Sequence, residues 1–215
     1  MKRIAVFLSG CGVYDGSEIH EATLSLLAIA KQGATYSLFA PDINQHHVIN
    51  HLTGEVMNET RNVLVESARI ARGKISPISA FSAEEFDGLL LPGGFGAAKN
   101  LSKWAFEGPG TDVIPEIKDA ILSMVRVKKP VGALCISPVL LTKTVDGPRI
   151  TIGMDEGDAA AVNKTGATHV KANHGEVVID EKYKFVTTPC YMLNATIDQI
   201  WDGAWNVVHE MLKMM

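Results

Sequence analysis

Near the middle of the chain runs the stretch Val131-Gly132-Ala133-Leu134-Cys135-Ile136-Ser137-Pro138. Its first four residues are typical of a buried strand, and another apolar segment follows Pro138. A cysteine at a strand-to-helix corner projects its sulfur from the sheet edge, and the N–H groups of the next helix favour the thiolate. The pattern therefore predicts a nucleophile at Cys135. The alternative is a buried cysteine that only fills space, as most free cysteines do.

Strand-like and helix-like segments alternate on both sides of this corner. Helical patterns cover about 17–33, 60–71, 115–129 and 194–214, and apolar strand patterns cover 4–8, 35–40, 87–91, 131–134, 150–152, 177–179 and 185–188. Continuous apolar strands that alternate with helices predict an α/β fold with a mostly parallel sheet covered on both faces. No linker or internal repeat interrupts the pattern, so we expect one domain over residues 1–215.

Composition restricts the partners and the compartment. The chain has 215 residues, of which 47% are hydrophobic and 20% charged, and its net charge of −4 predicts no binding to nucleic acid. No apolar run is long enough for a membrane span, and Ile4–Leu8 is too short for the apolar part of a signal peptide. Three cysteines argue against a disulfide framework and for a reducing compartment. We therefore expect a cytoplasmic protein.

In a parallel α/β sheet the functional residues collect where strands end at their carboxyl edge. Three segments qualify: 9–21, 92–99 and the turn at Cys135. The second segment is dense in glycine, and its exposed N–H groups together with that of Ile136 would bind a developing oxyanion. The alternative is a flexible connector.

The first of these segments admits several interpretations. Its glycines follow a GxGxxxG spacing after a strand, which approaches a dinucleotide-binding fingerprint; alternatively they permit unusual backbone angles in a tight loop. Glu18, His20 and Glu21 open the following helix, where carboxylates usually complement the helix dipole. A carboxyl that faces Cys135 would instead bond the thiolate and shuttle a proton. Cys11 is a further candidate that could tune the site, be oxidised or simply pack.

Several motifs resemble one family across nearly the whole chain. Leu91–Leu101 (LPGGFGAAKNL) and the ALCISP sequence at 133–138 resemble the DJ-1/PfpI group of the class I glutamine-amidotransferase-like superfamily. Five further segments are similar to its ElbB/ES1 subfamily, also known as sigma cross-reacting protein 27A: SGCGVYDGSEIHEA at 9–22, FAPD at 39–42, VINHLTGE at 48–55, TRNVLVESARIARG at 60–73 and VTTPCYM at 186–192.

The resemblance implies a flavodoxin-like three-layer sandwich with Cys135 as nucleophile and a glutamate from the first loop-helix corner. Relatives place that glutamate twelve positions before the glycine that ends the first helix; Gly33 therefore points to Glu21 rather than Glu18, which stays a secondary candidate. Gly93 and Gly94 match the oxyanion glycines, and Ile136 follows the nucleophile.

Departures from the family pattern argue against some of the reactions that other members of the superfamily catalyse. Proteases of the group have histidine directly after the cysteine, where this chain has Ile136, so we expect no protease activity. DJ-1-type proteins carry a histidine after the next strand, and 151–155 has none. His174 with Glu176 imitates the His-x-Glu of glutaminases, but it follows the cysteine too closely for a functional glutaminase. His174 stays a further candidate. His47 and His51 have a metal-like spacing without a third ligand nearby, and we predict no metal.

The family implies a cofactor-independent glyoxalase, a glutathione-independent lyase that converts glyoxal-like dicarbonyls to hydroxy acids. Its partner would be a small aldehyde or dicarbonyl, and relatives imply a homodimer. The alternative is a redox-responsive or protein-quality module, deglycase- or chaperone-like, that senses oxidation at Cys135. Older family names add a third option, an accessory subunit in isoprenoid or mitochondrial-type metabolism.

Overall fold

The computed structural model describes residues 1–215. The strands are β1 (Arg3–Phe7), β2 (Thr35–Ala40), β3 (Ile75–Pro77), β4 (Gly88–Leu91), β5 (Val131–Leu134), β6 (Arg149–Ile150), β7 (Thr168–His169), β8 (Val178–Asp180) and β9 (Phe185–Thr188). The α-helices are α1 (Ile19–Lys31), α2 (Val63–Ile70), α3 (Phe95–Lys99), α4 (Trp104–Glu107), α5 (Pro115–Arg126), α6 (Pro138–Leu141), α7 (Glu156–Asn163) and α8 (Ile197–Lys213). None of these helices is long and apolar enough to cross a membrane.

Seven strands form one sheet in the order β3-β2-β1-β4-β5-β9-β8. All neighbours are parallel except β8 and β9, which form an antiparallel hairpin. β6 and β7 pair separately as a short parallel ribbon. The predicted α/β fold with a mostly parallel sheet is confirmed.

Helices cover both faces of the sheet and make three layers. On one face α5 packs its apolar stripe (Ile117, Ile121 and Met124) onto the sheet. On the other face α1 and α8 lie side by side and share one apolar cluster with the strands. Both helices contribute amphipathic faces, so their burial against the sheet is the main apolar stabilisation of this layer.

The centre of the sheet carries β5, whose four residues are all buried. Gly132 in this strand has no side chain because Met211 and Val207 of α8 occupy the space where a Cβ would lie. α8 can therefore approach the sheet closely beside the carboxyl end of β5. The N–H of Cys135 continues the ladder by donating to the carbonyl of Thr188 at 2.9 Å, which ties the cysteine corner to the end of β9.

Several elements differ from the sequence-based expectation, among them β3, α7 and β6. β3 has only three residues at a sheet edge, and α7 has little apolar periodicity, so neither produces a clear pattern. The strand expected at 150–152 covers only Arg149–Ile150 and pairs with β7 outside the main sheet.

Candidate active site

Cys135 occupies a strained corner directly after β5. Its φ angle is +61°, in the left-handed region that residues with a side chain rarely adopt. The corner is held from both sides, because its N–H donates to Thr188 and the hydroxyl of Ser137 donates to the carbonyl of Pro92 at 2.6 Å. The surrounding hydrogen bonds therefore impose a conformation that aims the sulfur across the loop after β4.

Glu21 lies against this sulfur, although it comes from α1. Its side chain is fully buried, and its carboxyl lies close enough to the Cys135 thiol for each group to shift the pKa of the other. Each carboxyl oxygen also accepts a backbone N–H, Oε2 from Gly93 at 2.9 Å and Oε1 from Tyr191 at 3.2 Å. Burial, and secondly the negative charge of Glu18, raise the pKa of Glu21 to about 8. The carboxyl is therefore mostly protonated at neutral pH.

Glu18 has a different task from Glu21. It is the N-cap of α1, and its Oε2 accepts the backbone N–H of Glu21 at 2.7 Å. Its own N–H donates to the carbonyl of Gly93 at 2.9 Å. Of the two candidate glutamates, the structure places Glu21 against the thiol and uses Glu18 to cap the helix that carries it.

Gly93 lies beside the Glu21 carboxyl and the Cys135 thiol, and Gly94 lies beside the backbone that leads into α1. Neither position has room for a side chain. A Cβ on Gly93 would lie 2.5 Å from Oε2 of Glu21 and 2.9 Å from Sγ of Cys135. Gly94 has φ +98°, and a Cβ there would lie 2.8 Å from the carbonyl carbon of Ser17. Close packing of three backbone segments thus brings acid and thiol together.

The sequence-based expectation gave Gly93 and Gly94 the same role, that of oxyanion glycines. The structure gives the two glycines different roles. The N–H of Gly93 is already used by Glu21, so it positions the acid and does not bind an oxyanion. The N–H groups of Gly94 and Ile136 instead lower the pKa of the Cys135 thiol, so they act on the sulfur. These two groups are the donors available to a negative charge that develops beside Sγ.

The expectation of an open sulfur with a lowered pKa is wrong. Cys135 is only 7% exposed, and burial, followed by the charge of Glu21, raises the pKa of its thiol well above the ordinary value. The N–H groups of Gly94 and Ile136 favour the thiolate but do not outweigh these effects. α6, which follows the corner, has only four residues and contributes a small dipole. The thiol therefore needs a base to ionise.

The glycine N–H groups of the first loop are not free for a dinucleotide. The N–H of Gly10 donates to Oγ of Ser67, that of Gly12 to the carbonyl of Ser17, and that of Gly16 to the carbonyl of Gly12. Bonds within the protein therefore use the donors that would cradle a pyrophosphate. The glycines serve close packing of the loop instead.

Cys11 lies on the α2 side of this loop. Burial, and secondly the charge of Glu66, raise the pKa of its thiol. Its surroundings are Glu66, Arg69 and Asp15, and neither Cys135 nor Glu21 is among them. The structure does not bring this candidate to the thiol–acid pair.

The histidine candidates also lie apart from Cys135. His174 sits in the turn before β8, and its ring makes no hydrogen bond with Cys135 or Glu21. His47 packs against His46 and Phe106, whereas His51 stacks on Tyr14. No three His, Cys, Asp or Glu side chains are grouped so that they could hold a metal ion.

Two residues of the site were missed by sequence reasoning. Cys190 and Tyr191 follow β9, whose neighbour in the sheet is β5, and their segment (VTTPCYM) was noticed only as a family motif. Cys190 is buried with φ +42°, and Tyr191 supplies an N–H to Glu21. Their position in the sequence could have predicted them, because strands that end at the same edge of a parallel sheet bring the residues that follow them together.

The thiol is closely covered, with Cys135 only 7% exposed. Cavities of about 370 to 950 Å³ occur elsewhere on the molecule, the largest along β8, but Cys135 and Glu21 line none of them. A site this closely covered admits only a small molecule unless neighbouring groups move.

A buried cysteine at a left-handed corner after a central parallel strand, faced by a carboxyl from the first helix, defines the DJ-1/PfpI class of amidotransferase-like α/β proteins. No family model matches the chain. It is 44% identical to a rat protein named ES1 protein homolog, mitochondrial, over 99% of this chain and 84% of the relative. The chain belongs to the ES1 family of glutamine amidotransferase-like class 1 proteins.

Two further relatives support this assignment. The human glutamine amidotransferase-like class 1 domain-containing protein 3, mitochondrial, is 42% identical over 99% of this chain and 83% of the relative. A crystal structure of an isoprenoid biosynthesis protein with amidotransferase-like domain from Ehrlichia chaffeensis superposes with a TM-score of 0.93 at 37% identity, over 100% of this chain and 99% of that one.

A more distant neighbour shares the fold alone. Glyoxalase III from Candida albicans superposes with a TM-score of 0.63 at 14% identity, over 100% of this chain and 97% of that one. At this identity the similarity shows a common fold and carries no statement about the reaction.

The predicted cytoplasmic location is contradicted by the relatives. The rat, human and zebrafish proteins are all named as mitochondrial. The prediction went wrong because unpaired cysteines separate oxidising from reducing compartments but do not distinguish one reducing compartment from another.

Proposed function

We propose that this protein is a cofactor-independent glyoxalase-type enzyme that converts small dicarbonyls such as glyoxal to hydroxy acids. One observation carries the proposal: Sγ of Cys135 and Oε2 of the buried Glu21 both lie within 3 Å of the position that a Cβ on Gly93 would occupy, and the N–H groups of Gly94 and Ile136 favour the thiolate of the same cysteine. A nucleophile, a proton carrier and oxyanion donors then converge on a space suited to a small substrate.

The first step forms a hemithioacetal. Above the raised pKa of Glu21 its carboxylate accepts the thiol proton while Sγ attacks one aldehyde carbon, and the resulting carboxylic acid returns the proton to the carbonyl oxygen. The N–H groups of Gly94 and Ile136 stabilise the negative charge that develops on this oxygen.

The second step moves hydrogen between the two carbons. Glu21 removes the proton from the carbon bonded to sulfur, and the electron pair moves onto the neighbouring aldehyde oxygen to give an enediolate. The acid then delivers this proton to the neighbouring carbon, and the hydroxyl proton of the carbon bonded to sulfur passes to the alkoxide oxygen, so that a thioester carbonyl forms. The product is a thioester of Cys135 with a hydroxymethyl group. Water cleaves the thioester, which releases glycolate and restores the thiol, so the sum is glyoxal plus water to glycolic acid.

A pair of matched cysteine variants tests the proposal. We expect Cys135→Ala to lower conversion of glyoxal to glycolate by at least about a thousandfold, because the nucleophile is lost. Cys190→Ala, which removes the second buried thiol near the site, should retain most of the turnover. Unchanged glycolate formation in Cys135→Ala would contradict the proposed mechanism.

The redox-responsive alternative has less support. Oxidation of cysteine follows thiolate character and exposure, and Cys135 is covered with a raised thiol pKa. Peroxide titration with intact-mass measurement separates the two functions. Rapid, selective oxidation of Cys135 together with very slow glyoxal turnover would favour the sensor. The homodimer stays a prediction, which sedimentation would check.

A further inference from the structure

Tyr191 contacts two consecutive residues at the start of α1. Its backbone N–H donates to Oε1 of Glu21 at 3.2 Å, and its hydroxyl forms a 2.9 Å hydrogen bond with Nδ1 of His20. The two rings lie with their centroids 5.9 Å apart. His20 is exposed, Tyr191 is half-buried and Glu21 is fully buried. The contacts therefore run inward from the surface to the acid.

The turn that carries Tyr191 is itself constrained. β9 ends at Thr188, and the 3₁₀ turn Cys190–Met192 begins with Cys190 at φ +42°. Sγ of Cys190 packs beside Gly203 of α8, where an added Cβ would lie 3.2 Å from the sulfur. A left-handed residue in such a turn costs free energy and persists only where neighbouring contacts hold it. The bond between Tyr191 and His20 is one such contact.

The N–H of Tyr191 matters to the chemistry of Glu21. With Oε2 occupied by Gly93, this second N–H fixes the plane of the carboxyl group. It also lowers the pKa of Glu21 against the opposing effects of burial and the charge of Glu18. The ionisable groups around Glu21 are Glu18, Cys135, Cys190 and Tyr191, and none of them supplies a positive charge. The backbone N–H groups of Tyr191 and Gly93, together with the Cys135 side chain, therefore oppose its protonation.

We propose that His20 is a positioning residue that acts through Tyr191: by holding the tyrosine hydroxyl at the start of α1, it keeps the Tyr191 N–H on Glu21 and so sets when this acid gives up its proton. The role in turnover rests on the proposed glyoxalase function. The role in the proton affinity of Glu21 does not, and it can be measured without any substrate.

The experiment measures the rate of iodoacetamide alkylation of Cys135 against pH, with peptide mapping to separate it from Cys11 and Cys190. Tyr191→Phe keeps the ring and the N–H but loses the hydroxyl, and His20→Leu loses the other partner. We expect either change to raise the lower pH midpoint of the profile by about half a unit to one unit, since a hydrogen bond to a charged group is weakened. The double variant should shift no further than a single one.

Matched controls separate this role from a general effect on stability. Tyr36→Phe and His209→Leu alter exposed side chains on β2 and α8 that make no side-chain hydrogen bond, and their profiles should match the wild type. His20→Asn places an amide oxygen near the position of Nδ1 and should move the midpoint back toward the wild-type value. Glu21→Gln should remove the lower midpoint, which assigns it to this carboxyl.

The outcomes distinguish the two proposals. Unchanged midpoints in both Tyr191→Phe and His20→Leu, with the Glu21→Gln profile altered, would overturn the role of His20 even if glyoxal is converted. Shifted midpoints in a protein that does not convert glyoxal would support the role of His20 and reject the glyoxalase function.

Discussion

Two neighbouring strands, β5 and β9, are each followed within two residues by a cysteine, and the two corners differ in their surroundings. Cys135 and Cys190 are both buried, both have a left-handed φ (+61° and +42°), and burial raises the thiol pKa of each. Cys135 faces a carboxyl group and two backbone N–H donors, whereas Cys190 packs beside Gly203 of α8. The two corners therefore share the residue type and the strained backbone, and they differ in the neighbours of the sulfur.

Replacing Glu21, the acid that distinguishes the Cys135 corner from the Cys190 corner, should have the largest effect of the changes considered. We expect Glu21→Gln to lower glyoxal turnover by about 10² to 10⁴, the range typical of a lost general acid–base. Turnover in the wild type should rise with pH through about 8, because the carboxylate form of Glu21 is the base. Steady-state kinetics between pH 6 and 10 would check both. A wild-type rate that is flat across this range contradicts the assignment of Glu21.

A glycine beside each cysteine allows a second test. Gly94→Ala would force a side chain into the backbone near Ser17 at a positive φ, and we expect it to lower the free energy of unfolding by about 3 kcal/mol or more. Gly203→Ala beside Cys190 should change it by about 1 kcal/mol or less, because helix propensity offsets the tight contact. Urea unfolding measures both, and equal effects would show that the two corners are equally packed.

The buried acid also predicts how stability depends on pH. The folded-state pKa of Glu21, about 8, lies above its ordinary value, so the folded state binds more protons than the unfolded state between these pH values. The free energy of unfolding should therefore fall as pH rises from about 4.5 to 8. The fall should reach a few kcal/mol, since one pKa unit corresponds to about 1.4 kcal/mol. Glu21→Gln should abolish this component, and parallel slopes in both proteins would argue against a buried neutral acid.

Glu18 supplies the smallest predicted effect. Glu18→Gln keeps an oxygen for the N-cap bond to the N–H of Glu21 but removes the charge that raises the Glu21 pKa. We expect turnover to vary with pH as in the wild type, with the midpoint moved to a lower pH. Glu18→Ala should in addition cost about 1 kcal/mol of stability through loss of the cap. A midpoint moved upward would show that charge repulsion is absent.

The framework of the site could be predicted from the sequence because it depends on local patterns. The apolar run before Cys135 specifies β5, and the alternation of strands and helices specifies a parallel sheet whose carboxyl edge collects functional residues. The choice of Glu21 over Glu18 followed from the resemblance, through the spacing to Gly33. The structure explains this choice. Glu18 caps α1 through its carboxylate, and Glu21, three residues later, places its carboxyl beside the thiol.

The electrostatics of the site could not be predicted in this way. The cover over Cys135 depends on groups that come from β9 and α1, and the contact between Tyr191 and Glu21 joins residues 170 positions apart. A corner motif read locally suggests an exposed thiolate. Whether the sulfur is desolvated depends on how distant segments pack, and desolvation outweighs the short helix that follows the corner.

The neutral state of Glu21 has a consequence for how substrate reaches the site. Below pH 8 neither the acid nor the thiol carries a formal charge, so the reacting pair exerts little long-range force on an approaching molecule. Uncharged aldehydes would then enter at rates that do not respond to ionic strength, because a molecule without net charge has no charge–charge interaction for salt to screen. Aldehydes that carry a carboxylate would bind less well, because the carboxylate would lose its hydration at a site that offers no positive charge in return.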